Sequence, residues 1–315
     1  MTMIKLKWSN ETAGMVLATL GIFLFSAKAI LVKVAYRYEV DAVSLLLLRM
    51  VFSMPVYLVI AAWHYRRPRP AQIYRRDYVS IVFLGFVGYY LASYFDFLGL
   101  KYISASLERL ILFAYPTIVI LISAIVFRKK IMSNQWLAII ITYLGIMVTF
   151  VPDIGSDTAG GFWWGSALIF MSAFTYAMFI AGSGNLIPRF GSVYFTALTM
   201  TVSCVCVIAH HVVTSGFVWE QLPTEIYIIA FCMAVFSTII PSFLVSEAIK
   251  KMGSSNFAIV GSLGPVSTII LAVIFIQEVI TVYQLIGTAI VIGGISVLKM
   301  KKELSWKRTW AWIKK

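Results

Sequence analysis

Charged side chains are scarce in this chain, and that scarcity excludes most soluble architectures. Only 12% of the 315 residues are Asp, Glu, Lys or Arg, against 61% hydrophobic residues, and mean hydropathy is +0.90. Soluble domains carry about 25% charge, so the balance is that of an integral membrane protein. Cysteine is nearly absent too. Cys204, Cys206 and Cys232 all lie in apolar stretches, where they read as small buried side chains, and no disulfide framework is expected. The histidines are His64 and the adjacent His210 and His211, all expected at helix ends. There is no HExxH, GxSxG, CxxC or phosphate-cradling Gly-Lys-Ser/Thr sequence. The expected protein is therefore not an enzyme, with no metal and no cofactor.

Acids are the scarcer charge, 13 against 26 Lys and Arg, for a net charge of +13. A basic chain can be a nucleic-acid binder, but the placement of these residues points to a membrane. Twenty of the 26 cations fall on one side of the expected spans, including the 66–76 loop, Arg128–Lys130 and the tail from Lys299. Lys33, Arg37 and Lys101 fall on the other side. By the positive-inside rule both termini are cytoplasmic, and the expected location is the inner membrane with no nucleic acid as partner.

Ten apolar segments are long enough to span as helices: 12–34, 42–64, 78–98, 105–127, 135–151, 162–182, 193–213, 226–247, 256–276 and 283–298. Short polar or Gly/Pro stretches, such as 152–161 and 184–192, read as the loops between them. Spanning segments must satisfy their backbone internally, so the expected fold class is all-α integral membrane.

Residues 88–148 recur 149 positions later without a gap. Ser93/Ser242, Lys101/Lys250, Pro116/Pro265, Gln135/Gln284 and Gly145/Gly294 are identical pairs at that offset. An odd number of helices lies between equivalent points, so the copies are expected to be inverted in the bilayer. The expected domains are a first five-helix repeat over 1–152, a second over 153–298, and a basic tail with Trp306, Trp310 and Trp312 over 299–315. Inverted repeats suit alternating access, in which two similar halves exchange roles.

Lys28, Arg49, Asp96, Glu108 and Arg109 fall inside the expected spans, in one layer. Charge at bilayer depth usually faces a cavity or a partner. Glu108 and Arg109 point about 100° apart on a helix and do not pair well with each other. The expected partners are Arg49 or Lys28 for Glu108, and Arg109 for Asp96, with Asp96 the member nearest water. The layer reads either as a ligand site or as a structural ion-pair network. At the 149 offset Asp96, Glu108 and Arg109 correspond to Val245, Phe257 and Ala258, so the architecture repeats and the charge does not. Three cations against two acids favour a ligand with an anionic group. Tyr89, Tyr90, Tyr94 and Tyr115 suit a cavity lining, and Pro116, Gly264 and Pro265 read as mid-helix hinges.

Pro116 and Pro265, the stretch from Gln277-Glu278 through Gln284 to Gly287, Gly293-Gly294 and Arg49 together resemble the EamA family of the drug/metabolite transporter superfamily. The resemblance covers nearly the whole chain. It implies secondary transport of a small polar metabolite, most often outward. Where the family pattern has Gly-Glu after the fourth helix this chain has Arg128-Lys129, and the matching acid survives only as Glu278. The expected function is export of an amino acid or related zwitterion or anion, with membrane lipids around the protein and protons as the candidate coupling ion. The alternative is a membrane-embedded enzyme acting on a lipid or isoprenoid. Monomer and homodimer both remain open.

Overall fold

In the computed structural model, the described residues are 10–66, 72–127, 133–149, 161–215, 222–261 and 263–294. Arg128–Lys130, most of the 152–161 loop and the 299–315 tail lie outside them. All regular structure among the described residues is helical. Helix α1 spans Asn10–Tyr36 and α2 spans Ala42–Tyr65. Helix α3, Arg75–Gly85, passes through a π-helical turn at Phe86–Leu91 into α4, Ala92–Gly99. Then come α5 (Ala105–Leu112), α6 (Tyr115–Phe127), α7 (Ser133–Thr149), α8 (Phe162–Phe190) and α9 (Ser192–Ser215). Helix α10, Thr224–Ala234, passes through a second π-helical turn, Val235–Ile239, into α11, Ile240–Val260. Helix α12 spans Leu263–Ile276 and α13 spans Val282–Gly294.

Seven helical segments among the described residues are long and apolar enough to cross a membrane, with two shorter apolar helices at α12 and α13. The chain is therefore a multi-pass membrane protein. Element bounds recur at the 149 offset: α2 with α9, α3 with α10, the two π turns, and α6 with α12 match to within one or two residues.

Local chemistry explains several boundaries. Asp41 caps α2 by accepting from the amides of Val43 and Ser44 at 2.8 and 3.1 Å. Ser104 caps α5 through the Leu107 amide at 3.2 Å. Glu278, just after α12, accepts from the Ser106 amide at 3.1 Å, so this acid satisfies an orphan donor at the start of α5 from across the bundle. The 184–192 stretch is not a loop. Helix α8 runs to Phe190 and turns only at Gly191, whose φ of +78° favours glycine. Gly184 serves packing instead: a Cβ there would stand 2.9 Å from Ser254 Oγ.

The expected helix over 105–127 is interrupted between Leu112 and Tyr115, and that over 256–276 between Val260 and Leu263. Pro116 and Pro265 consequently sit in the first turn of a new helix rather than in mid-helix. A missing amide is harmless there, because first-turn amides have no intrahelical acceptor.

The helices of the two halves interlock, α1 packing on α11 and α12, α2 on α9, and α4 on α8. At the α4–α8 crossing a Cβ on Gly99 would lie 3.0 Å from the Gly165 carbonyl, and one on Gly165 would lie 3.2 Å from the Gly99 carbonyl. Ser172 donates to the Ala92 carbonyl at 2.8 Å across the same contact. Small residues permit such close approach where lipid supplies no hydrophobic drive. At the α8–α9 end, Arg189 pairs with Asp77 at 2.7 Å and Ser192 bonds Glu247. Cys204, Cys206 and Cys232 are all free thiols.

Gly99→Val should force α4 and α8 apart at a cost of about 1–3 kcal/mol. The expected result is a lower unfolding temperature in detergent. A temperature equal to that of the wild type would show that the crossing tolerates a larger residue.

Candidate functional site

The charged layer assembles around Lys28. Its ammonium lies 2.6 Å from Asp96 Oδ2 and 3.6 Å from Glu108 Oε1, bringing together α1, α4 and α5. Both acids are essentially inaccessible, with side chains 1% and 0% exposed. Asp96 was expected near water and paired with Arg109; it is instead buried and paired with Lys28. The reason is geometric. Arg109 follows Glu108 on α5 and points a third of a turn away, toward α12. There its guanidinium packs against Gly264, where a Cβ would stand 2.8 Å from Nη2. The long flexible stem of Lys28 reaches both acids from α1.

Arg49 is buried on α2 without an acid. Its Nη2 donates to Ser93 at 2.9 Å, its guanidinium lies 4.9 Å from the centroid of Phe97, and its Nε lacks a hydrogen-bond partner. A face-on aromatic ring is favourable to a cation but does not neutralise it. Among the described residues, neither Arg49 nor Arg109 forms an ion pair with a carboxylate.

Lys28, Arg49 and Arg109 all line one cavity of ≈ 80 Å³, together with Tyr89, Tyr115, Ser237 and Thr238. The space admits a few waters or a small ligand. Asp96 and Glu108 are not among its lining residues. Tyr115 reaches the cavity as expected; Tyr90 and Tyr94 do not. They stack on each other with ring centroids 6.4 Å apart, and Tyr90 hydroxyl meets His210 Nδ1 at 3.0 Å. The π turn at Phe86–Leu91 adds one residue to the helical turn and so presents Tyr89 to the cavity instead. Gly264, expected as a hinge, also leaves room for the Arg109 guanidinium.

Apart from Tyr89, which was expected there, several lining residues escaped the sequence reading. Gly88 and Tyr89 come from one π turn, Ser237 and Thr238 from the other, and each pair stands 149 positions from its counterpart. Ser172 and Tyr176 come from α8, and Phe257 occupies the position equivalent to Glu108. Hydroxyls within apolar helices were the available signal, but they are too common in membrane helices to single these out. The hydroxyls of Tyr89 and Ser237 are buried without a hydrogen-bond partner.

Lys28→Met leaves two buried carboxyls without their cation. Breaking a buried pair from one side costs about 3–5 kcal/mol, so loss of folded protein is the expected outcome. Size-exclusion profiles of Lys28→Met and of the double variant Lys28→Met/Glu108→Gln check this, with partial recovery in the double variant. A monodisperse, fully stable single variant would rule out the pairing.

The sequence profile of the EamA-like transporter family matches residues 12–151 and 163–300. The chain is similar to "Uncharacterized transporter YcbK" of Bacillus subtilis (strain 168), at 27% identity over 302 residues, covering 94% of this chain and 96% of that one. It is also similar to "Uncharacterized transporter sll1319" of a Synechocystis strain, at 24% identity, covering 82% and 79% of the two chains. One crystal structure superposes with a TM-score of 0.66 at 16% identity over 92% of this chain and 97% of the other, a likeness of fold alone.

Proposed function

The chain belongs to the EamA-like transporter family, and from that premise we propose that it carries a small carboxylate-bearing metabolite across the inner membrane by alternating access. The observation that carries this reading is the pair of guanidiniums, Arg49 and Arg109, facing one cavity with no acid bound to either among the described residues. A ligand carboxylate between them would supply the missing counter-charge, and a planar fork suits a carboxylate's two oxygens. Lys28 contributes positive potential while holding both acids out of the way. Amino acids and related zwitterions or anions carry the required group. The enzyme alternative needs free acids at headgroup level, whereas Asp96 and Glu108 are buried against a lysine.

The two halves, 1–152 and 153–298, would be inverted copies that rock about the cavity, with both termini cytoplasmic and lipid around the helices. Three features support this: the recurring element bounds, the two family matches along one chain, and the basic bias of one set of loops. The helix breaks before Pro116 and Pro265, with Gly264 beside the second, would act as the bending points. Without a nucleotide-binding motif, energy comes from a gradient. Glu108 is the residue we assign to proton coupling, with Asp96 second. Two carboxyls share a single lysine, and a proton on one of them releases positive potential toward the bound anion. Anion and proton would then move together, outward when the metabolite's own gradient drives them.

Removing Arg49 leaves no orphan acid, so Arg49→Ala should insert normally yet lose transport. Charge-assisted hydrogen bonds of this kind correspond to about a tenfold to hundredfold loss of apparent affinity. Arg49→Lys should restore part of it. Uptake of radiolabelled carboxylates and amino acids by proteoliposomes, normalised to inserted protein, decides the matter. Wild-type transport by Arg49→Ala would overturn the reading.

Glu108→Gln should abolish accumulation driven by a pH gradient while substrate-for-substrate exchange persists, because the amide mimics the protonated acid in shape. Measuring both activities on one preparation separates coupling from structure. Proton-driven accumulation at the wild-type rate would remove Glu108 from the mechanism.

A further inference from the structure

The cavity wall is one-sided in its chemistry. Lys28, Arg49 and Arg109 supply three cations, and no carboxylate among the described residues lines it. Two residues that line the same space carry buried hydroxyls with nothing to bond: Tyr89 is 5% and Ser237 0% exposed, and neither has a hydrogen-bond partner. They come from the two π-helical turns, one in each half of the chain. Burying an unpartnered hydroxyl is unfavourable, so a ligand that hydrogen-bonds to these groups would complete the arrangement. Arg49 Nε is a third buried donor in the same condition.

An α-amino acid brings an ammonium as well as a carboxylate. In this cavity that ammonium would meet hydroxyl oxygens and main-chain carbonyls but no opposite charge, and three cations would repel it. The two nearby acids cannot serve, because both are committed to Lys28.

We propose that the site selects small organic monoanions lacking an ammonium group, such as 2-hydroxy and 2-oxo acids, over the corresponding α-amino acids. Arg49 and Arg109 take the carboxylate, and the π-turn hydroxyls of Tyr89 and Ser237 bond the remaining ligand oxygens. This rests on the carboxylate reading above and narrows it. A 2-hydroxy or 2-oxo group places its oxygen where an amino acid places its ammonium, so the discrimination falls on a single substituent.

The test uses the full-length protein in detergent and matched ligand pairs: lactate with alanine, phenyllactate with phenylalanine, and 2-oxoisocaproate with leucine. Isothermal titration calorimetry should show the ammonium-free member binding at least about tenfold more tightly in the pair of suitable size. Tyr89→Phe and Ser237→Ala should each weaken that member by roughly fivefold to tenfold while amino-acid binding stays weak and the unfolding temperature stays unchanged. Equal or tighter binding of the amino acid would overturn the selectivity while leaving the carboxylate reading intact. Unchanged affinity in both hydroxyl variants would remove the π turns from ligand binding. Binding of neither member of any pair would overturn the carboxylate reading and this inference with it.

Discussion

A charge held away from water needs a partner of opposite sign, and the helix arrangement around Lys28 satisfies that requirement before any other. Asp96 and Glu108 are almost wholly inaccessible, on α4 and α5, and a single ammonium from α1 serves both. The character of the cavity depends on that choice. With the acids committed, the two arginines on α2 and α5 line the cavity with no ion pair to a carboxylate among the described residues.

The two π-helical turns stand in the same relation to the cavity in both halves. A π turn accommodates one residue beyond the α-helical number and therefore rotates the rest of its helix. In the first half it brings Tyr89 rather than Tyr90 to the cavity; in the second, Ser237 and Thr238 take the equivalent places. Thr238 hydroxyl bonds the Met233 carbonyl at 3.0 Å, five residues back, and so satisfies an acceptor within the wider turn. The architecture is thus duplicated while the side chains on it differ. One half carries the acids and Arg109; the other answers with Phe257 and Ala258, both buried.

Much of this was legible in the chain itself. Scarcity of charge and long apolar runs dictated a helical membrane protein, because only helices and closed barrels satisfy their backbone in lipid. The 149-residue recurrence anticipated that element bounds would repeat, and they do, down to the π turns. The five ionisable residues stood out because each is costly at depth; Lys28, Arg49 and Arg109 line one cavity, and Asp96 and Glu108 pair with Lys28. Which acid met which cation was not legible, since pairing depends on helix rotation and on the reach of each side chain. Lys28 and Arg109 differ there in a way that spacing along the chain does not encode.

Composition and periodicity by themselves determined the helical membrane class and singled out Arg49, Asp96 and Glu108 as charges away from water, because each of these depends on the local cost of placing a residue in hydrocarbon. Tertiary structure alone decided the pairing at Lys28, the placing of Arg49 and Arg109 away from the described carboxylates, and which of the tyrosines line the cavity. It also set the task of Gly264, which makes room for a guanidinium from another helix. Those outcomes depend on angstrom-scale distances between helices far apart in sequence, and a one-residue widening of a helical turn is enough to change them.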